Sequence, residues 1–148
     1  MSEPLEILLV EDNPSDVKLA LRAFEKSNLT NQVRVLRDGA EALDYLFCTG
    51  QYASRVGQKQ PKVVLLDLKL PLVDGHEVLR QMRADPRTHM IPVVVLTSSN
   101  AEKDLIESYK LGVNSYIQKP VDFEQFSAVV RQLGFYWLVV NKVAYPTE

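Results

Sequence analysis

The chain has 148 residues, enough for one ordinary domain or one domain with an extension, and too few for two of usual size. Hydrophobic residues make up 46% and charged residues 24%, near globular averages, which excludes disorder for most of the chain. Lys plus Arg total 17 against 19 Asp plus Glu, a net charge of -2 that offers no basic excess for nucleic acid.

The first apolar run, Leu5-Glu6-Ile7-Leu8-Leu9-Val10, predicts a strand. Asn13 then caps a helix with Pro14 in its first turn and Val17, Ala20, Leu21 and Phe24 as its stripe. Gln32-Val33-Arg34-Val35-Leu36 alternates, as an edge strand does, and Asp38 with Glu41 resembles a capping box before Leu43, Leu46 and Phe47. The connection from Cys48 to Pro61 is unusually long, and such loops are either functional or simply mobile. Lys62-Val63-Val64-Leu65-Leu66 and Ile91-Pro92-Val93-Val94-Val95-Leu96 are near-continuous runs of the kind that central parallel strands show. Between them Gly75, Val78, Leu79 and Met82 form a helical stripe. Ser99 and Glu102 make a box-like start to a fourth helix that Gly112 closes. Asn114-Ser115-Tyr116-Ile117 is the fifth run, and Asp122 with Gln125 precedes Phe126, Val129, Val130 and Leu133. Five βα units in series predict an α/β doubly wound five-stranded parallel sheet.

Chemistry collects where these strands end. The first run leads into Glu11-Asp12, the third into Asp67, the fourth into Thr97-Ser98, and the fifth into Lys119-Pro120. Open α/β sheets bind ligands at the carboxyl ends of their strands, at the switch in strand order. In a 2-1-3-4-5 order, Asp12 and Asp67 come to one site, with Glu11 close by. Three carboxylates exceed what one lysine balances, and oxygen donors without His or Cys select Mg2+ or a similar hard cation. Such a site stabilises charge on transferring phosphoryl oxygens, and an Asp carboxylate is itself a nucleophile that forms an acyl phosphate. Taken singly, Asp12 or Thr97 reads as a helix cap, Lys119 as a solvated lysine and Tyr116 as an ordinary strand residue. Asp67 directly after an apolar strand resists that reading. His76 and His89 have no metal-ligand partner at a useful spacing and read as surface residues.

The segments Ile7-Leu8-Leu9-Val10-Glu11-Asp12-Asn13, Val63-Val64-Leu65-Leu66-Asp67-Leu68-Lys69-Leu70-Pro71, Asp74-Gly75, Val93-Val94-Val95-Leu96-Thr97-Ser98 and Lys119-Pro120 resemble the response-regulator receiver domain. The resemblance covers about residues 5–133. It implies a flavodoxin-like fold and phosphorylation of Asp67 by a partner histidine kinase. It further implies Mg2+ held by Glu11, Asp12, Asp67 and the backbone carbonyl of Lys69. Lys119 is expected to pair with the phosphoryl group, with a cis bond to Pro120, and Thr97 to bond a phosphoryl oxygen. Tyr116 matches the aromatic position that turns inward as the threonine moves. The acyl phosphate is expected to hydrolyse slowly, making the chain a phosphoacceptor switch and not a metabolic enzyme.

Two further classes share the fold. An aspartyl-nucleophile phosphatase usually carries a second Asp two positions after the nucleophile, where Lys69 stands. A flavin or nucleotide binder wants a Gly-rich loop after the first strand, where Glu11-Asp12-Asn13-Pro14 stands. A non-phosphorylated scaffold is disfavoured by the complete set of site residues.

Residues 134–148 extend beyond the receiver core, leaving the whole chain, 1–148, as a single domain with an apolar helical tail. Phe135, Tyr136, Trp137, Leu138 and Val139 put apolar groups on several helix faces, which needs more than one buried side. A homodimer through the fifth helix and this tail is expected. The tail and the long connection resemble stand-alone, cyanobacterial phytochrome-associated response regulators, which implies a phytochrome kinase as partner and a downstream protein as target. The longest apolar run, Phe135 to Val140, is six residues against the roughly 20 that span a bilayer. The acidic start Met1-Ser2-Glu3-Pro4 lacks the basic region of a signal peptide. The single Cys48 excludes an internal disulfide, reads as a partly buried small side chain and suits the cytoplasm.

Overall fold

The computed structural model describes residues 7–28, 33–98, 101–119 and 122–133. In chain order these form β1 (Ile7–Val10), α1 (Pro14–Lys26), β2 (Val33–Leu36), α2 (Gly39–Phe47), a short 3-10 segment (Gly50–Arg55), β3 (Val63–Leu66), α3 (Gly75–Ala84), β4 (Val93–Thr97), α4 (Glu102–Lys110), β5 (Ser115–Gln118) and α5 (Phe123–Leu133). The strands pair in parallel in the order β2-β1-β3-β4-β5, the doubly wound sheet that the alternating periods predict.

Strand period 2 explains the two core layers. Leu8 and Val10 of β1 join Val64 and Leu66 of β3 and Val93 and Val95 of β4, packing under α2 and α3 with Tyr45, Leu46, Leu79 and Met82. Ile7, Leu9, Val63, Leu65, Val94 and Leu96 face the other way, against Phe24 of α1 and Phe126 of α5. Full burial of one such side chain stabilises by about 1.5–3 kcal/mol, so the alternate positions of three four- or five-residue strands anchor helices on both faces.

Local chemistry starts the helices as the spacing predicts. Asn13 accepts from Ser15 and Asp16 N–H, Asp38 from Glu41 N–H at 2.6 Å, Asp74 from Glu77 N–H at 2.9 Å and Asp122 from Gln125 N–H at 2.7 Å. The fourth helix differs from expectation. Ala101 occupies its cap position with no side-chain cap bond, and Ser99 lies outside the described residues. None of the described helices is long and apolar enough to cross a membrane.

His76 corrects the surface reading given to it. Its side chain is only 18% exposed, and Nε2 lies 3.1 Å from Asp104 on α4. Arg80 reaches Glu107 at 3.6 Å, and Arg83 donates to Leu111 O at 2.7 Å. These three α3 side chains, one helical turn apart, pair with two positions along α4 and with the residue that caps its end. His89 is exposed, as expected.

The Cys48 to Pro61 connection is built, not slack. Cys48 ends α2 at φ 59, half-buried, and the 3-10 segment turns back on that helix. Arg55 anchors it. The guanidinium stacks 3.7 Å from the Tyr45 ring centroid, donates to the carbonyls of Tyr45 and Lys59, and is nearly buried. Tyr52 adds an edge contact to Tyr45 and a 2.7 Å bond to Glu41. Arg55→Ala is expected to cost about 2–3 kcal/mol, from a charged hydrogen bond and a desolvated cation–π contact. Chemical denaturation should show that loss, and limited proteolysis should cut first within residues 49–60.

Candidate functional site

Register places the acids. Val10 of β1 is beside Leu66 of β3, so Glu11 and Asp67 leave the same edge of the sheet one residue later. Their backbones stay tied to it, Glu11 N–H donating to Leu36 O at 2.9 Å and Asp67 N–H to Val10 O at 3.0 Å. Carboxylate oxygens of Glu11, Asp12 and Asp67 lie within 4.8 Å of one another, the first and last buried and Asp12 exposed. The sequence expectation that these three converge is met in the geometry.

β4 and β5 supply the other side. Thr97 is wholly buried at the end of β4, in register with Gln118, and Lys119 N–H donates to Thr97 O at 2.7 Å. The Lys119 side chain, 12% exposed, puts Nζ at 2.8 Å from Glu11, 2.7 Å from Asp16 and 3.2 Å from Asp67. Lys69 is exposed and its N–H holds the other Asp67 oxygen at 3.1 Å. Tyr116, half-buried and in register with Val95, packs against the core layer under α2 and α3. Pro120 and Phe135, Tyr136, Trp137, Leu138 and Val139 lie outside the described residues.

Asp16 is the site residue that strand-end reasoning misses. It sits in the first turn of α1, just after the Asn13 cap, and meets a lysine 103 positions away. Its place as an acid at a helix N-terminus that follows a strand end was the available signal. Gly75 is needed for closure of the β3–α3 loop, since a Cβ there would lie 2.2 Å from the Asp67 carbonyl oxygen.

Burial pushes the Glu11 carboxyl from an ordinary 4.5 up to about 7; the Lys119 bond pulls against it, and the nearby Asp67 charge adds to it. Burial pulls Lys119 down, but its bonds to Asp16 and Glu11 and the charge of Asp67 outweigh that and hold the ammonium above its usual range. Glu11 therefore binds its proton more tightly folded than unfolded. That contribution to stability is complete below about pH 4.5 and is lost as pH rises towards about 7. It amounts to on the order of 3 kcal/mol for a shift of this size. In metal-free buffer the stability difference between Glu11→Gln and wild type should widen in favour of the variant across that window; parallel pH curves would refute it. The donor set, carboxylates only, fits a hard divalent cation, and a cation held by Glu11, Asp12 and Asp67 would favour the ionised form of Glu11.

Residues 7–131 match the response regulator receiver domain. The chain is 46% identical to "Probable methanogenesis regulatory protein FilR2" of Methanothrix harundinacea, covering 97% of this chain and 90% of that one. It is similar to the phosphorylated cyanobacterial phytochrome response regulator RcpA, with a TM-score of 0.81 and 40% identity over 93% and 96% of the two chains. It is likewise similar to the Mn(2+)-bound form of response regulator Rcp1, a Synechocystis protein, with a TM-score of 0.80 and 38% identity over 92% and 96%. A parallel sheet in this order, an acid cluster at its switch point and these likenesses agree: the chain belongs to the response regulator receiver domain family.

Proposed function

We propose that the chain is a phosphoacceptor switch in which Asp67 takes a phosphoryl group from the phosphohistidine of a sensor histidine kinase. The observation that supports this best is the setting of the Asp67 carboxylate, held between the Lys69 N–H and the Lys119 ammonium beside two further acids. Glu11, Asp12, Asp67 and the carbonyl of Lys69 would hold Mg2+, which supplies positive charge to the acids and to phosphoryl oxygens. An Asp67 oxygen attacks phosphorus as the P–N bond of the donor breaks, its electron pair leaving on the imidazole nitrogen. Lys119 pairs with the transferred group and Thr97 donates its hydroxyl to it. As Thr97 moves, the Tyr116 ring turns inward. Slow self-hydrolysis of the acyl phosphate resets the switch.

Likeness to RcpA supports a phytochrome kinase as donor, and likeness to FilR2, named for a different process, makes that the point to test. Signalling runs through protein contacts in the cytoplasm, to a downstream protein, from a homodimer formed by α5 and Phe135, Tyr136, Trp137, Leu138 and Val139. The whole chain, 1–148, then acts as one receiver. The test is incubation of the full chain with acetyl phosphate and Mg2+. A single hydroxylamine-labile phosphate on the peptide that contains Asp67, which does not form when a chelator is present from the start, is expected. Label on another residue, or none, would overturn the reading.

A further inference from the structure

Lys119 has three carboxylate partners, and they are not equivalent. Nζ lies 2.8 Å from Glu11, 3.2 Å from Asp67 and 2.7 Å from Asp16. Glu11 and Asp67 leave neighbouring strands and belong to the acid cluster that suits a divalent cation. Asp16 stands on α1 and is not one of the three acids that converge there. Yet its contact with the ammonium is the shortest of the three. Burial pulls Lys119 down, and of the attractions that outweigh burial the bond to Asp16 is the largest.

The fold fixes both ends of this pair. Asp16 N–H donates to Asn13 Oδ1 at 3.1 Å, inside the cap of α1. Ala20, Ala23 and Phe24 bury that helix on the sheet. Lys119 N–H donates to Thr97 O at 2.7 Å, tying the lysine backbone to the end of β4. A lysine side chain is a compact charge on a flexible stem, and holding it in one place costs rotamer entropy. A carboxylate on a packed helix offsets that cost at one defined point. The pair is not a solvated surface bridge, since the two side chains are only 12% and 30% exposed.

The difference between the partners matters once charge changes at the site. A divalent cation on Glu11, Asp12 and Asp67 would engage the carboxylates of two of the three partners and repel the ammonium. Asp16 is the remaining partner, able to keep the ammonium beside Asp67 without giving up a cation ligand. Resting on the phosphoacceptor reading of Asp67, we infer that Asp16 is a positioning residue for Lys119, drawing the ammonium off Glu11 and Asp67 when the cation binds and holding it where phosphoryl oxygens arrive.

The experiment is a double-mutant cycle on the full chain, with Asp16→Asn and Lys119→Met made singly and together. Asparagine keeps the size of the side chain and an oxygen for the ammonium, and removes only the charge. Melts in chelator should show a cooperative transition for all four proteins. With Lys119 present, Asp16→Asn should weaken Mg2+ binding by titration calorimetry about fivefold, because the ammonium then competes for Glu11 and Asp67. It should also slow labelling by acetyl phosphate at saturating Mg2+ about tenfold, a coupling of ordinary size for residues in contact. In the Lys119→Met background each effect should shrink below about twofold. Effects of equal size in both backgrounds overturn the inference, since Asp16 would then act by its own charge or packing and not through the lysine. Unchanged affinity and rate in Asp16→Asn overturn it as well. Should Asp16→Asn fail to fold, Asp16→Ala, compatible with a helix, enters the same cycle. Wild type that takes no label on Asp67 sinks the phosphoacceptor reading, while the calorimetric arm of the cycle judges the Asp16–Lys119 coupling separately.

Discussion

Asp67→Asn is expected to abolish phosphate incorporation from acetyl phosphate and, in metal-free buffer, to make the domain more stable. The first effect follows from chemistry, because a carboxamide oxygen is a far weaker nucleophile than the carboxylate and forms no acyl phosphate. The second follows from charge. Glu11, Asp16 and Asp67 share the ammonium of Lys119, Asp12 adds a further carboxylate beside Glu11 and Asp67, and two of the four acids are buried. Like charges this close repel, and burial weakens the screening that water would provide. Asparagine keeps an oxygen for the Lys69 N–H and leaves Lys119 paired with Glu11 and Asp16. The gain is about 1 kcal/mol, after discounting the weakened attraction to Lys119. Divalent-cation affinity should fall at least about tenfold with one fewer charged ligand. Labelling by acetyl phosphate, thermal melts with and without chelator, and a Mg2+ titration read the three outcomes. Persistent labelling would place the phosphoacceptor elsewhere, and a less stable variant would show that Asp67 has a packing role its contacts do not reveal.

The sheet and most of this site were legible in the amino-acid order because both rest on short-range rules. Alternation in β1 and β3 assigns side chains to two faces, and a polar residue directly after the last apolar one must leave at the strand's carboxyl end. Parallel register then brings Glu11 and Asp67 together. What stayed hidden depends on geometry between distant segments. The Asp16–Lys119 pair spans 103 positions and the His76–Asp104 pair 28, and no local period announces either. Nothing in the local order around Arg55 announces the Tyr45 ring beneath it. The positive φ of Leu72 runs against propensity, so local reasoning predicts against it. Sequence rules failed at a capping site too, because Ala101 begins α4 without a side-chain cap, on a helix whose Leu105, Ile106 and Tyr109 are exposed. The His76–Asp104 and Arg80–Glu107 pairs link it to α3.

Lys119→Met should damage both stability and chemistry, and the two losses separate in the presence of a divalent cation. The lysine stem is mostly buried, and its ammonium is the cation shared by Glu11, Asp16 and Asp67. Methionine fills a similar volume, so what is lost is charge. Removing one partner from a buried ion pair typically costs about 3–5 kcal/mol, since the other is left uncompensated. Part of that cost is avoided here because Glu11, already pushed up to about 7 by burial, takes up a proton once the ammonium is gone. The destabilisation should therefore be smaller near pH 6 than near pH 8, a dependence opposite in sign to acid denaturation through ordinary carboxylates. Mg2+ should restore most of the stability at pH 8 by replacing the missing charge. It should not restore the rate of labelling by acetyl phosphate, because the proposed role of the ammonium is also to meet phosphoryl oxygens that develop charge during transfer. Loss of one such preorganised donor commonly costs about 100- to 1000-fold. Lys119→Arg preserves charge but presents a planar fork in place of a compact ammonium, so it should recover stability ahead of rate. Melts at both pH values with and without Mg2+, set beside labelling time courses, decide the matter. Full recovery of rate with Mg2+ would show that Lys119 acts only as a counterion, and the phosphoryl contact proposed for it would be withdrawn.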